Sequence, residues 1–286
     1  MRYQITHQTT YQYSQPVELG RHILRLRPRT DGTQWLTQFD CAIAPTPLKT
    51  SEITDFEGNA CQCVWFTDAA TSQLHIQTTS VVETGRHNAF DYLSEPWAMN
   101  APIDYPSSLA GQLAPYLSPA TAIALSPQIV EFAHTILQEV EGHVGMFLTQ
   151  LTRQINQDLQ YLHRPFGSPQ LAIATLAQRS GSCRDFTVLF MLACQAVGLA
   201  ARFVSGYQEG DLAEGNHELH AWPEVYIPGG GWRGFDPTLG LAVADRHVAL
   251  AAALYPINAA PVSGTLKTQD MVKSTLQYDV KITTVE

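Results

Sequence analysis

Gly181-Ser182-Cys183-Arg184-Asp185-Phe186 leads straight into an apolar run that ends at Val197-Gly198. Phe186, Val188, Leu189, Phe190, Met191, Leu192 and Ala193 go nearly all round a 3.6-residue repeat. This predicts a helix from about Cys183 to Val197, buried at the centre of a domain and stopped by Gly198. Upstream, Ile129, Phe132, Ala133, Ile136, Leu137 and Val140 fit one helix face, and Phe147, Leu148, Leu151 and Ile155 fit another. Downstream, strands are expected over Ala200 to Tyr207, His220 to Ile227 and Gly231 to Asp236, the last two joined by Pro228-Gly229-Gly230-Gly231. Helices followed by an antiparallel sheet make an α+β domain, assigned to residues 128–265.

The chain before it reads as an antiparallel β-sandwich over residues 1–100. Tyr3, Ile5, His7 and Thr9 alternate with polar residues, as do Leu74, Ile76 and Thr78, and turn signals at Pro16, Pro28 to Gly32, Pro45 to Pro47 and Glu57-Gly58-Asn59 cut the segment into short strands. Residues 101–127, with Pro102, Pro106, Pro115, Pro119 and Pro127, read as a proline-rich linker with room for one short helix. The stretch 266–286 contains Leu276, Tyr278, Val280 and Ile282 in alternation, and this strand is expected to return to the first sheet beside Tyr3 to Tyr13, because left alone it would expose an open edge.

The chemistry concentrates in three places. A thiol at a helix N-terminus feels the positive end of the dipole and unpaired N–H groups, so Cys183 is the candidate nucleophile. His220 on a neighbouring strand is placed to take its proton, and Asp236 on the next strand to hold the other ring nitrogen, the logic of a Ser-His-Asp triad. Their side chains share a sheet face only if Ile227 lies opposite Gly231, through a three-residue loop or an equivalent bulge. Glu224 has the strand parity of His220 and is the rival to Asp236. Pro223 removes a ladder donor and suggests an edge or bulged strand. His217, His220 and Cys183 form a weaker zinc alternative, without the paired cysteines typical of such sites; no metal or organic cofactor is expected.

These elements resemble the bacterial transglutaminase-like superfamily, whose cysteine, histidine and aspartate follow in papain-like order. The beginning resembles that family's N-terminal β region, in Tyr3-Gln4-Ile5-Thr6-His7, Tyr11-Gln12-Tyr13 and Leu24-Arg25-Leu26-Arg27-Pro28-Arg29, followed by Asp55 and Gly58-Asn59. The resemblance implies a papain-like α+β domain with Cys183, His220 and Asp236 as catalytic residues. The oxyanion of acyl transfer needs donors beyond the Cys183 backbone N–H. Tyr161, where the family carries an aromatic residue, and Gln178, five residues before the thiol, are the candidates. Two departures stand out. Arg184 replaces the family's usual glutamine and adds positive charge beside the thiol, and Ala253-Leu254-Tyr255 precedes Pro261-Val262-Ser263-Gly264 where the family carries a Gly-Arg-Asp run.

Composition narrows the partners. With 17 Lys and Arg against 26 Asp and Glu, the net charge of −9 repels phosphate backbones and anionic headgroups, so nucleic acid and membrane partners are not expected. No secretory h-region is seen, and the run Phe186 to Ala201, broken by Thr187, Gln195 and Gly198, falls short of the roughly 20 apolar residues of a membrane span. Five cysteines, an odd count, fit reduced thiols in the cytoplasm better than a disulfide framework. Cys61 and Cys63 sit on one strand face about 6.6–6.8 Å apart, unsuited to pairing, and Cys194 falls inside the apolar helix. The expected function is thiol-dependent acyl transfer on a peptide or protein amide, with hydrolysis as a peptidase or amidase preferred. A true transglutaminase with an amine acceptor and a non-catalytic peptide-binding module are the alternatives.

Overall fold

The computed structural model describes residues 1–118, 125–164, 166–210, 219–268 and 271–285. The N-terminal strands are β1 (Arg2–Val17), β2 (Leu19–Leu24), β3 (Gln34–Ala44), β4 (Lys49–Thr54), β5 (Ala60–Trp65) and β6 (Thr71–Thr84). Helices α1 (Ser107–Leu117), α2 (Pro127–Glu139) and α3 (Val144–Asp158) follow, then the short β7 (Gln160–Tyr161), α4 (Ala172–Gln178), β8 (Ser180–Gly181) and the central α5 (Cys183–Ala196). The chain continues through β9 (Ala201–Gln208), β10 (Leu219–Ile227), β11 (Gly231–Asp236), β12 (Leu241–Ala242), β13 (His247–Ala253), β14 (Val262–Leu266) and β15 (Ser274–Thr284). No helix among the described residues is long and apolar enough to cross a membrane.

The strand-rich part is a sandwich of two antiparallel sheets, ordered β15-β1-β6-β3 and β14-β2-β5-β4. Alternation in β1 buries Tyr3, Ile5, His7 and Thr9, and the two sheets meet through Ile5, Ile76 and Ile282 on one side and Leu19, Leu24 and Val64 on the other. The C-terminal strand pairs antiparallel with β1, from Tyr3 opposite Thr284 to Tyr13 opposite Ser274. The chain rejoins the sandwich before residue 266: β14 pairs Val262 with Leu24, held by Arg25, whose guanidinium donates to Ala260 O and Ser263 Oγ. Residues 101–127 are also more than a linker. Ile103, Tyr105 and Leu113 are buried in the helical core, because the apolar face of α1 packs there despite the surrounding prolines.

The second sheet, β12-β11-β10-β9-β13, wraps the apolar α5, of which Phe186, Leu189, Phe190 and Ala193 are almost fully buried. The hairpin between β10 and β11 sets Ile227 opposite Gly231, with Gly229 and Gly231 at positive φ (84° and 69°), a conformation that glycine adopts without steric cost. Pro223 lies on an interior strand and no bulge accompanies it, contrary to the edge reading. The Tyr226 N–H bonds Ala200 O on the β9 side, so by alternation the Pro223 nitrogen faces β11, whose pairing with β10 starts at Glu224. No ladder donor is needed there.

The two halves share a core. Tyr207, Val248 and Leu250 of the second sheet are buried with the sandwich residues. The outer edge of β13 is closed by side-chain amides: Gln34 bonds both N and O of Ala249, and Asn59 bonds both N and O of Ala252. Asp55 holds Asn59 by accepting from its backbone N–H and its Nδ2. His7 bridges the halves, with Nδ1 2.9 Å from Tyr207 Oη and Nε2 2.8 Å from Thr9 Oγ1.

Burial lowers the His7 pKa to about 4. Unfolding restores an ordinary value, so the unfolded chain binds the extra proton and native stability falls as pH drops from about 6.5 toward 4. Thermal or urea unfolding at pH 7 and 4.5 should show this loss reduced by about 2 kcal/mol in His7→Gln; an identical pH dependence in the variant would contradict the assignment.

Candidate active site

Cys183 is the first residue of α5, and a buried carboxylate fixes the turn that presents it. Asp185, fully buried, accepts from the Ser182 N–H (2.7 Å) and hydroxyl (2.8 Å) through Oδ2, and from the Gln170 N–H (2.7 Å) and Arg164 Nη2 (2.6 Å) through Oδ1. Burial alone would raise the Asp185 pKa, but these donors outweigh it and hold it below the usual carboxylate range. The helix start is thereby tied to the loop before α4.

Asp236, also fully buried, ends β11. Its Oδ2 accepts from His220 Nε2 at 2.8 Å and from His247 Nε2 at 2.9 Å, and its Oδ1 accepts from the backbone N–H groups of Thr238 and Leu239. Burial opposes the charge, yet the histidines hold the Asp236 pKa far below the ordinary value. Burial likewise works to lower His220, but the charge and hydrogen bond of Asp236, with a further hydrogen bond to Cys183, leave that ring well above the usual histidine range. Nε2 is committed to Asp236, which leaves Nδ1 for the thiol. His247 behaves oppositely: burial outweighs Asp236 and lowers its pKa, so it stays neutral and donates its one N–H to the carboxylate. Its Nδ1 is buried without a partner, beside the edge of Trp222 at 5.1 Å between ring centroids. Sequence reasoning missed His247; a lone histidine opening an alanine-rich strand carries no spacing signal.

Cys183 and His220 line a cleft of about 930 Å³. Its walls come from α5, β9, β10, residues 161–164, 166–171 and 254–262, and the sandwich strands β1 and β15. Tyr161 lines it, in a two-residue parallel pairing with Gly181. Gln178 does not: it is exposed on the last turn of α4, outside the cleft lining, because the left-handed Arg179 turns the chain before β8. Gln170 lines the cleft instead. Glu224 is no partner for His220. Four strand residues separate them by about 13 Å, and Glu224 pairs with Arg202 at 2.6 Å, whose guanidinium stacks on Trp232. Arg184 lines the cleft and donates to Arg164 O and Phe166 O, bracing the loop wall. His217, of the zinc alternative, lies outside the described residues. Among those described, the ligand atoms of His220, Asp236 and His247 lie within 4.8 Å of one another. The spacing would suit a metal, but Asp236 Oδ2 is already engaged by two N–H donors.

This geometry separates the two carboxylates by experiment. Asp236→Asn should slow alkylation of Cys183 by iodoacetamide at pH 7 at least roughly tenfold, since the charge that holds the His220 proton is gone. Glu224→Ala should leave that rate within about twofold, while uncovering Arg202 should cost about 3 kcal/mol in urea unfolding. The reverse pattern of rates would make Glu224 the orienting group.

Comparison with known proteins agrees with this architecture. Residues 3–83 match the bacterial transglutaminase-like N-terminal region, and residues 131–237 match the transglutaminase-like superfamily. The crystal structure of a protein named "Putative Cysteine Protease" from Cytophaga hutchinsonii superposes with a TM-score of 0.76 at 21% identity, covering 100% of this chain and 92% of that one, which shows a common fold. The uncharacterized protein Rv2569c of Mycobacterium tuberculosis is 28% identical over 93% of this chain and 88% of its own length. A protein-glutamine gamma-glutamyltransferase of Pseudomonas aeruginosa is 39% identical over a stretch covering 27% of this chain and 12% of that protein. Both regions are matched in order around a Cys, His and Asp that the fold draws together, and residues 131–237 form a transglutaminase-like superfamily domain.

Proposed function

We propose that the protein is a cysteine-dependent amidase or peptidase. His220 Nδ1 already holds the thiol proton when the Cys183 sulfur attacks the amide carbonyl; the same nitrogen then protonates the leaving amine, giving a thioester on Cys183. Asp236 stays ionised throughout and keeps the ring in place. The Cys183 backbone N–H, at the start of α5, and Tyr161, which lines the cleft, serve as donors to the oxyanion. Water, activated by His220, then attacks the thioester and releases the acid.

The observation that carries hydrolysis over amine transfer is the charge of the cleft. Arg184 lines it, as does Arg164 in its pair with Asp185, and no Asp or Glu does so among the described residues. A protonated lysine acceptor finds no carboxylate there among the described residues. The five free thiols support a reducing, cytoplasmic setting.

In water enriched in oxygen-18, the acid released from a peptide amide should carry the label, with or without added primary amine. Cys183→Ala should lower turnover at least ~1000-fold and leave the thermal unfolding midpoint nearly unchanged. Unlabelled amine adduct as the sole product would overturn hydrolysis, and a Cys183 no more reactive to iodoacetamide than Cys194 would leave a peptide-binding module.

A further inference from the structure

The cleft extends well past the thiol. On α5, Arg184, Val188, Met191 and Gln195 follow at i, i+4, i+7 and i+11 along one helix face, and all of them line the same cleft as Cys183. From Cys183 to Gln195 the helix rises about 18 Å. Phe203 of β9 and Ala259 line the same cleft. Past Arg184 the floor of this arm is Val188 and Met191 until Gln195, a side chain 6% exposed, whose Nε2 donates to Tyr116 O at 3.1 Å. The other end of that amide, Oε1, is buried with no donor. A buried acceptor left bare is costly, and it marks the end of the arm as built to meet a donor.

The occupant follows from this wall. A peptide threaded along it would bring one N–H and one C=O per residue against Val188, Met191 and Phe203, which offer them no partner. An aliphatic chain brings none. We propose that this arm is a subsite for an extended aliphatic chain carried by the amide substrate, ending in a neutral hydrogen-bond donor such as a carboxamide or hydroxyl that Gln195 Oε1 accepts. The assignment rests on Cys183 being the nucleophile, and it specifies the class of amide that the nucleophile meets. A neutral terminus fits because no acidic residue lines the cleft among the described residues.

Alkylation of Cys183 by N-substituted iodoacetamides tests the arm without a known substrate. The sulfur displaces iodide, an S–C bond forms as C–I breaks, and the proton that came from the thiol stays on His220. The second-order rate constant should rise at least ~10-fold from N-methyl to N-octyl iodoacetamide, each buried methylene contributing a factor of roughly two to four. An ω-carboxamido-octyl reagent should react faster again. Met191→Trp, which fills the arm, should bring the octyl-to-methyl ratio close to one, and Gln195→Leu should reverse the preference between the ω-carboxamide and the plain octyl chain. If Met191→Trp fails to fold, the Gln195→Leu reversal decides. Equal rates for methyl and octyl reagents, or an unchanged order in Gln195→Leu, overturn the arm while leaving the acyl-transfer site intact. A methyl reagent that labels Cys183 no faster than Cys194 overturns the nucleophile itself.

Discussion

An ionised carboxylate with no exposure to water has to be surrounded by donors, and Asp236 meets that demand by drawing three parts of the chain to one point. His220 comes from β10, His247 from β13, and two backbone N–H groups from the turn after β11. The arrangement fixes which nitrogen of His220 remains for the sulfur and keeps that ring able to hold a proton. Asp185 does the corresponding work for Cys183: it gathers Ser182, Gln170 and Arg164 around the start of α5, so the turn that carries the thiol is held. One buried carboxylate orients His220 and another anchors the turn of Cys183, each held in its charged form by surrounding charges and hydrogen bonds that outweigh burial.

The sandwich is part of the same construction. Gln34 and Asn59 occupy the open edge of β13 with side-chain amides that imitate a neighbouring strand, which both removes an exposed edge and sets the strand that begins with His247. The path Thr9–His7–Tyr207 connects the cleft wall formed by β1 to β9 of the second sheet. The return of β14 and β15 to the N-terminal sheets places residues from the end of the chain, Leu276 and Tyr278 among them, in the cleft beside residues from its beginning.

Much of this was legible in the sequence where a local rule has few solutions. An all-apolar run behind Gly181-Ser182-Cys183 admits a buried helix with the thiol at its first turn, and strand parity admits a register with Ile227 opposite Gly231 if His220 and Asp236 are to meet. Alternation likewise marked the last strand, and an open edge demanded a partner for it. What escaped depends on distances across the fold. Glu224 has the right parity but lies too far along its strand. Gln178 is close to Cys183 in sequence, yet the helix turn points it away. Pro223 sits inside a sheet because the pairing on one side begins just after it. His247 and Gln195 had no pattern at all; each becomes significant through a single contact made, or left unmade, in three dimensions.

The central claim is that Asp236 keeps the His220 imidazole protonated well above the pH at which a free histidine loses its charge. Nitrogen-15 NMR titration of the histidine rings measures this directly. His220 should stay doubly protonated through pH 7 in the native protein, with Nε2–H strongly deshielded by Asp236, and should titrate at a lower pH in Asp236→Asn. A His220 ring that is already neutral at pH 6, or one that titrates identically in the variant, would contradict the account.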